Sequence, residues 1–167
     1  MRLALTDIYQ AKWTKDIHKE WIYNLLKKRS DLTREKLEKT REKMDMYVRD
    51  CLVSGYEGKI KDIVLPDPND RHVLAAAICA NAQIILIFNV SDFPIKITKK
   101  YGIEALHPDM FLQYLLSISR FDVIKTIHDT RCSLKNPPKS TEEYLNILKK
   151  QSLEKTVKYL KDYIDFI

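Results

Sequence analysis

The sequence predicts an α/β fold in which helices cover a parallel sheet. Ile84–Phe88 is an unbroken apolar run of strand length, typical of a strand that is covered on both faces. A helix of small side chains, Val73–Ala80, precedes it and could approach a sheet closely. A second short strand is predicted at Ile103–Leu106, just after Gly102. Strands that alternate with helices favour a parallel sheet.

Hydrophobic periodicity predicts further elements on both sides of this central part. In chain order they are a short strand Tyr9–Trp13, helices Lys15–Arg29 and Thr33–Val48, an irregular stretch over residues 51–69, and a helix that begins at Pro108. Together with the central part they form one predicted domain over residues 1–116.

Residues 117–167 are predicted to form a helical extension. Ser140 and Glu143 have the spacing of a capping box, and Asn136-Pro137-Pro138 breaks the chain before it. The last helix carries an apolar stripe, which is more typical of core packing than of a groove for a partner. The stripe consists of Leu153, Val157, Leu160, Ile164 and Ile167.

Length and composition exclude several classes of protein. A chain of 167 residues with 45% hydrophobic and 31% charged residues can bury one good core, as expected of a soluble globular protein. No apolar run reaches membrane-span length, and the N-terminus has no signal-peptide core. Cys51, Cys79 and Cys132 are widely spaced, which favours reduced thiols in a cytoplasmic protein. The three glycines form no phosphate-binding loop.

The net charge of +6 is unevenly distributed along the chain. Residues 1–50 carry a net +4, residues 51–124 a net −1, and residues 125–167 a net +3. A nearly neutral middle part between basic segments suits a metal site beside a polyanion. The alternative is that the lysines only solvate exposed helix faces, and the charge distribution alone favours this explanation.

Polar side chains lie where strands end and a helix begins. Asp70 follows a loop with two prolines, at the start of the small-residue helix, and Asn89 and Asp92 follow the apolar strand. In open α/β sheets ligands bind at the carboxyl ends of strands, so these residues are expected to share one region. The alternatives are structural: Asp70 as a helix cap, Asp92 as a turn residue and Asp67 as a loop residue.

Several segments together resemble the PIN-domain nucleases, in particular the VapC-like toxins of bacterial toxin–antitoxin systems. The resemblance runs along essentially the whole chain. It is carried by Asp67-Pro68-Asn69-Asp70-Arg71-His72, the alanine-rich helix, Phe88-Asn89-x-x-Asp92-Phe93, Tyr101–Asp109 and Leu134-Lys135-Asn136-Pro137-Pro138. It implies a PIN-like, Rossmann-like three-layer fold and a ribonuclease that requires Mg²⁺ or Mn²⁺. It also implies an RNA substrate, a cognate antitoxin and a homo-oligomer.

The resemblance assigns roles to six residues. It implies that Asp70, Asp92 and Glu20 bind the metal, and that the neutral Asn89 holds a water molecule or a phosphate oxygen. Carboxylate oxygens are the ligands that Mg²⁺ and Mn²⁺ prefer, and such ions activate water for phosphodiester hydrolysis. Arg71 and His72 are the predicted contacts to nucleic acid.

The sequence departs from the PIN pattern at its front. PIN domains begin with an apolar strand that ends in a metal-binding aspartate, and no such strand precedes Tyr9. Asp7 is a poor substitute because it lies in a helical pattern. Either the chain starts at an internal methionine, or another segment or subunit repairs the fold. The open sheet edge is expected to be covered by a dimer partner or by Tyr163–Ile167.

Two other functions remain open. One is a catalytically inactive PIN remnant that serves as a binding module for nucleic acid or protein. The other is a nucleic-acid-binding protein that uses the basic flanks without a metal.

Overall fold

Helices dominate the computed structural model, which describes residues 2–167. The helices are α1 (Lys15–Lys28), α2 (Arg34–Tyr47), α3 (Glu57–Ile60), α4 (Arg71–Cys79), α5 (Ile95–Thr98), α6 (Pro108–Ile118), α7 (Arg120–Cys132), α8 (Thr141–Lys150) and α9 (Glu154–Leu160). The strands are β1 (Ile84–Leu86) and β2 (Glu104–Leu106). None of the helices within residues 2–167 is long and apolar enough to cross a membrane.

The two strands pair in parallel, as the sequence predicts. Ile84 lies opposite Glu104 and Leu86 opposite Leu106. The amide of Ile87 donates to the carbonyl of Leu106 at 3.0 Å. Gly102 has a φ of +69°, a left-handed conformation that favours glycine, in the turn before β2. The three-layer PIN-like arrangement stays a prediction.

The expectation that the apolar run Ile84–Phe88 is covered on both faces is wrong. Pairing ends at Leu86, and Leu86 and Phe88 are 44% and 64% exposed. Ile85 is buried, and its side chain points to the opposite face from Leu86. The helical clusters contact the two faces of the run at its start, at Ile84 and Ile85, and leave its end at Leu86 and Phe88 exposed.

One edge of β1 lacks a strand partner among the described residues. The backbone groups of Gln83 and Ile87 bond to β2, so those of Ile84 and Leu86 point to the other edge. Tyr163–Ile167 does not cover this edge, contrary to one expectation, because residues 161–166 form a 3₁₀ helix. A dimer partner at this edge stays a prediction.

A second parallel contact lies nearer the N-terminus. Trp13 forms an isolated bridge with Leu52, in which the amide of Trp13 donates to the carbonyl of Cys51 at 2.8 Å. The predicted strand Tyr9–Trp13 is therefore wrong except at its last residue. Tyr9 instead packs edge-on against the ring of Phe111, at 5.0 Å between centroids, which holds this segment against α6.

Three hydrophobic clusters form the core. The central cluster surrounds α4 and Ile85, the C-terminal cluster joins α6 to α9 with Ile167, and a small cluster surrounds Trp13 and Val48. Ile84 packs against the C-terminal cluster, whereas its neighbour Ile85 belongs to the central one. β1 therefore lies between the two larger clusters.

The C-terminal helices pack as the sequence predicts. Ser140 and Glu143 form the capping box at the start of α8. Four members of the predicted stripe, all except Ile164, are buried, which confirms their role in the core. Ile164 is exposed because the non-helical backbone at Tyr163 interrupts the periodicity.

Asp109 ties α6 to α9. Its buried carboxylate accepts hydrogen bonds from the amides of Lys155 and Thr156, at 2.9 and 2.8 Å, and so satisfies two amides of the first turn of α9. α6 thus packs with the C-terminal helices, although the predicted division at residues 116 and 117 groups it with the N-terminal part. That division stays a prediction.

A buried polar network joins α1 to α2. Asp45 accepts hydrogen bonds from Trp13 Nε1 at 2.8 Å and from His18 Nε2 at 2.9 Å. Trp21 Nε1 donates to His18 Nδ1 at 2.8 Å, so the proton of a neutral His18 lies on Nε2. The histidine is almost fully buried, and the network explains how its polar ring is tolerated there. Cys51, Cys79 and Cys132 are all free, as predicted.

Candidate acidic site

Asp70 stands at the start of α4, but its side chain accepts no capping hydrogen bond there. The preceding turn is capped by Asp67, whose carboxylate accepts from the amide of Asn69 at 2.8 Å. The prolines at 66 and 68 disfavour a helix before this point. The capping explanation for Asp70 therefore loses support, and its carboxylate is available for other interactions.

Three other carboxylates act on that of Asp70. Burial raises the pKa of the Asp70 carboxyl above its usual value, and the charges of Asp67, Asp92 and Glu20 raise it further. His72 opposes them by favouring the charged carboxylate. Glu20, Asp70 and Asp92 come from three elements widely separated in sequence, so the fold brings them into one electrostatic neighbourhood. Asp67 belongs to it as well, although the sequence analysis treats Asp67 as a loop residue.

Glu20 is held by a partner on another helix. His72 Nε2 donates to Glu20 Oε1 at 2.8 Å, because a carboxylate can only accept. Glu20 is exposed and His72 is largely buried, with its Nδ1 unpaired in the described part of the chain. His72 therefore orients the acidic side chain rather than standing free to contact a phosphate.

Asn89 orients Asp92. Its amide nitrogen donates to Asp92 Oδ2 at 2.7 Å, while its own oxygen accepts from the hydroxyl of Ser91 at 2.6 Å. All three lie around the 3₁₀ turn Val90–Asp92 after β1, and the buried ring of Phe93 anchors the turn. Asn89 thus contributes to the site by orienting Asp92, in addition to its predicted role of holding a water molecule or a phosphate oxygen.

The described residues do not form a ready-made metal site. Within residues 2–167 no three side chains of the types His, Cys, Asp or Glu lie close enough together to hold one ion. Asp70 has no partner for its carboxylate among the hydrogen bonds and ion pairs that the structure describes, whereas Glu20 and Asp92 each have one. The arrangement can attract a cation to Asp70. Glu20 can join it only by giving up its hydrogen bond with His72, and Asp92 only by giving up its hydrogen bond with Asn89.

Asp16 also belongs to this region, and the sequence analysis missed it. It lies one turn before Glu20 on α1, accepts from the hydroxyl of the buried Tyr56 at 2.6 Å and pairs with Lys19 at 2.8 Å. The hydrogen bonds of Lys19 and Tyr56 hold the pKa of Asp16 below its usual value, and His72 contributes to this. The spacing Asp16-x-x-x-Glu20 puts both acids on one face of a helix, and this spacing is the feature from which Asp16 could have been predicted.

Two basic side chains lie close to Glu20. A shallow cleft of about 420 Å³ is lined by Lys19, Glu20, Tyr23, Arg34 and Glu38. Arg71, the other predicted nucleic-acid contact, is half-buried, and its Nε has no partner within residues 2–167. A larger cavity, between α6, α7 and the C-terminal turn, contains none of the acidic residues in its lining.

Part of the chain is similar to known proteins. Residues 108–162 match the family described as the VapC50 C-terminal domain. One curated relative is 54% identical over 43 residues, and its description is "Putative ribonuclease VapC50" from Mycobacterium tuberculosis (strain ATCC 25618 / H37Rv). That match covers 26% of this chain and 25% of the relative. No solved structure matches the chain.

The family match covers a different part of the molecule from the acidic site. It begins at the first residue of α6 and ends just beyond α9, so it contains the buried members of the C-terminal cluster except Ile167. Glu20, Asp70, Asn89 and Asp92 all lie before it. The family match thus covers one part of the chain, and the acidic neighbourhood around Asp70 lies in another.

Proposed function

We propose that this protein is a VapC-type ribonuclease that uses Mg²⁺ or Mn²⁺, with RNA as substrate and an antitoxin protein as partner. The observation that carries the proposal is the carboxyl group of Asp70, whose pKa is raised by burial and by the acids of Glu20, Asp67 and Asp92. Such mutual repulsion is expected where acids are collected for a cation. The partial similarity to the ribonuclease VapC50 of M. tuberculosis supports the same class.

The carboxylates are of the chemical type that a hard divalent cation binds, but too few of them are free to hold one. Asp70 is the expected direct ligand, and Glu20 and Asp92 are the expected second and third carboxylates. A bound Mg²⁺ or Mn²⁺ would activate water and offset the negative charge of the phosphodiester. His72 and Asn89 compete with the ion for Glu20 and Asp92, so we expect weak metal binding and slow cleavage. The basic side chains Lys19 and Arg34 line a cleft with Glu20, and we expect them to contact the RNA there.

Cleavage of RNA tests this proposal directly. The purified chain is incubated with a labelled single-stranded RNA in Mn²⁺, in Mg²⁺ or in EDTA. We expect slow cleavage with either metal and none in EDTA. Asp70→Asn should reduce the rate at least about 100-fold, because metal positioning supplies most of the catalysis in phosphoryl transfer.

The matched control is Asp62→Asn, which removes an exposed carboxylate outside the site. This variant should cleave like the unmodified protein. Fast cleavage in EDTA, or equal rates for Asp70→Asn and the unmodified chain, would contradict the proposal.

A second candidate function is a binding module without catalysis. The absence of a three-ligand group within residues 2–167 favours it, together with the hydrogen bonds that occupy Glu20 and Asp92. In that case RNA binds in EDTA as well as in Mn²⁺ and remains intact. An anisotropy titration of the same labelled RNA separates the two functions.

A further inference from the structure

An open apolar groove with a basic rim lies in the C-terminal part of the described chain. It has a volume of about 650 Å³ and lies between the end of α6, the first half of α7 and the 3₁₀ turn Lys161–Phe166. Its lining consists of Leu116, Ser117, Ile118, Arg120, Phe121, Ile124, Lys125, His128, Tyr163 and Phe166. We call this surface the C-terminal groove.

The rim of the groove exposes large apolar side chains to solvent. Phe121 is 76% exposed, Phe166 67% and Ile118 54%. The floor, at Leu116 and Ile124, is buried and belongs to the C-terminal cluster. Three such residues beside one cavity form a contiguous patch rather than scattered surface positions, and contiguous patches mark interaction sites.

The charged groups at the groove are basic. Arg120 lies over the stacked rings of Tyr159 and Tyr163, at 5.9 and 5.5 Å from their centroids. No carboxylate pairs with Arg120 among the ion pairs that the structure describes, whereas Lys125 is paired with Asp129 at 2.6 Å. Arg120 is thus an oriented cation that still lacks an anion at the edge of an apolar surface.

These features select one kind of occupant. A second copy of the chain would bring the same basic rim against itself, and like charges disfavour that contact. Single-stranded RNA suits Arg120 and the aromatic rings but leaves the aliphatic floor at Leu116 and Ile124 without apolar contacts. An amphipathic helix satisfies both parts, since its apolar face fills the groove and an acidic side chain at its flank reaches Arg120.

We propose that the C-terminal groove binds an amphipathic helix of another protein, through apolar residues at the groove and an acidic residue at Arg120. This docking surface is independent of the acidic site, because no residue of that site lines it. All of its lining residues except Tyr163 and Phe166 lie within the segment that matches the VapC50 C-terminal domain.

A designed peptide tests the groove. The probe is a fluorescein-labelled peptide of about 18 residues with leucine at positions i, i+3, i+4 and i+7 and glutamate beside them; a second probe carries lysine in place of glutamate. We expect the full chain to bind the glutamate probe roughly tenfold tighter than the lysine probe by fluorescence anisotropy. Phe121→Ser and Arg120→Gln should each weaken that binding roughly tenfold, because aromatic and arginine side chains dominate such contacts.

The control is Ile95→Ser, which alters another highly exposed apolar side chain outside the groove and should leave binding unchanged. Thermal melting checks that all variants remain folded. No saturable binding of the glutamate probe, or equal binding of both probes, overturns the proposal. It is also overturned if Phe121→Ser abolishes binding of a uridine-rich RNA without affecting the peptide, or if it converts a dimer into a monomer in light scattering.

Discussion

The carboxyl group of Asp70 is held where its negative charge is unfavourable, because burial and neighbouring acids raise its pKa. The position of Asp70 at a helix start was predictable from the two prolines and the alanine-rich segment that follows. Its proximity to Glu20 depends on how α1 packs near α4, and no local pattern encodes that. The hydrogen bond of His72 to Glu20 was beyond prediction for the same reason.

Asp70→Asn should increase stability at neutral pH in the absence of metal. The raised pKa means that the folded protein favours the protonated carboxyl, so stability falls as the pH rises from the unfolded pKa to the raised folded pKa, and the full loss is present above it. Urea denaturation at pH 7 should show a higher midpoint for the variant, and the gain should disappear once the pH falls below the ordinary aspartate pKa of about 4.

Excess Mn²⁺ should reverse this order, because we expect the unmodified protein to bind the ion more tightly than the variant does. A variant that is less stable than the unmodified chain in EDTA at pH 7 would show that Asp70 makes a favourable interaction in the folded state that the structure does not describe.

Asp109 has the opposite pH dependence. Burial acts to raise its pKa, but the hydrogen bonds from Thr156 and Lys155 outweigh burial and hold the pKa below its usual value. The carboxylate therefore stabilises the fold above its unfolded pKa, and this stabilisation is lost as the pH falls through the lower folded value. Asp109→Asn should cost about 1–3 kcal/mol at pH 7, the range for a charged hydrogen-bond acceptor that is removed.

The difference between Asp109→Asn and the unmodified protein should shrink in urea titrations below about pH 4, near the ordinary aspartate pKa. Asp162→Asn, an exposed aspartate close to the same helix, is the control and should change stability little at either pH. A constant difference from pH 7 to pH 3 would contradict the assigned role.

At the scale of elements, helices were more predictable than strands. α1 and α2 lie within a residue or two of their predicted bounds, because threonine caps and apolar spacing are local signals. β1 is shorter than its apolar run, since strand pairing depends on a neighbour that sequence periodicity cannot reveal. Trp13 shows the same dependence, because only that residue of its predicted strand finds a partner in Leu52.

The capping box of α8 gives an element-scale prediction. Ser140 accepts from the amide of Glu143 at 3.2 Å, and Glu143 accepts from the amide of Ser140 at 2.9 Å. Ser140→Ala should lower the free energy of unfolding by about 1 kcal/mol, the typical cost of a lost N-cap. Urea denaturation measures it, with the exposed Ser54→Ala as the control. An unchanged midpoint for Ser140→Ala would mean that packing alone determines the start of α8.

At the scale of the whole molecule, the exposure of the apolar run at β1 is the main departure from what the sequence predicts. The expected covered strand instead exposes Leu86 and Phe88, with the backbone groups of Ile84 and Leu86 unpaired in the described chain. Unpaired edges with apolar side chains promote strand addition between molecules.

We therefore expect the protein to self-associate through this edge. Light scattering should show a mass that rises with concentration, and Leu86→Lys should lower it towards the monomer because a charge on an edge strand opposes pairing. Ile95→Lys is the matched control, since it adds the same charge at an exposed apolar residue outside the sheet. Association that persists unchanged in Leu86→Lys would place the contact elsewhere.

The position of β1 between two clusters has a consequence for how the molecule unfolds. Ile84 and Ile85 are adjacent in the chain, yet one packs with α6 to α9 and the other with α4. Loss of either cluster frees one face of the same short strand and so loosens the other cluster. The two halves are therefore linked as a single cooperative unit, and slow amide exchange in β1 would report on the integrity of both.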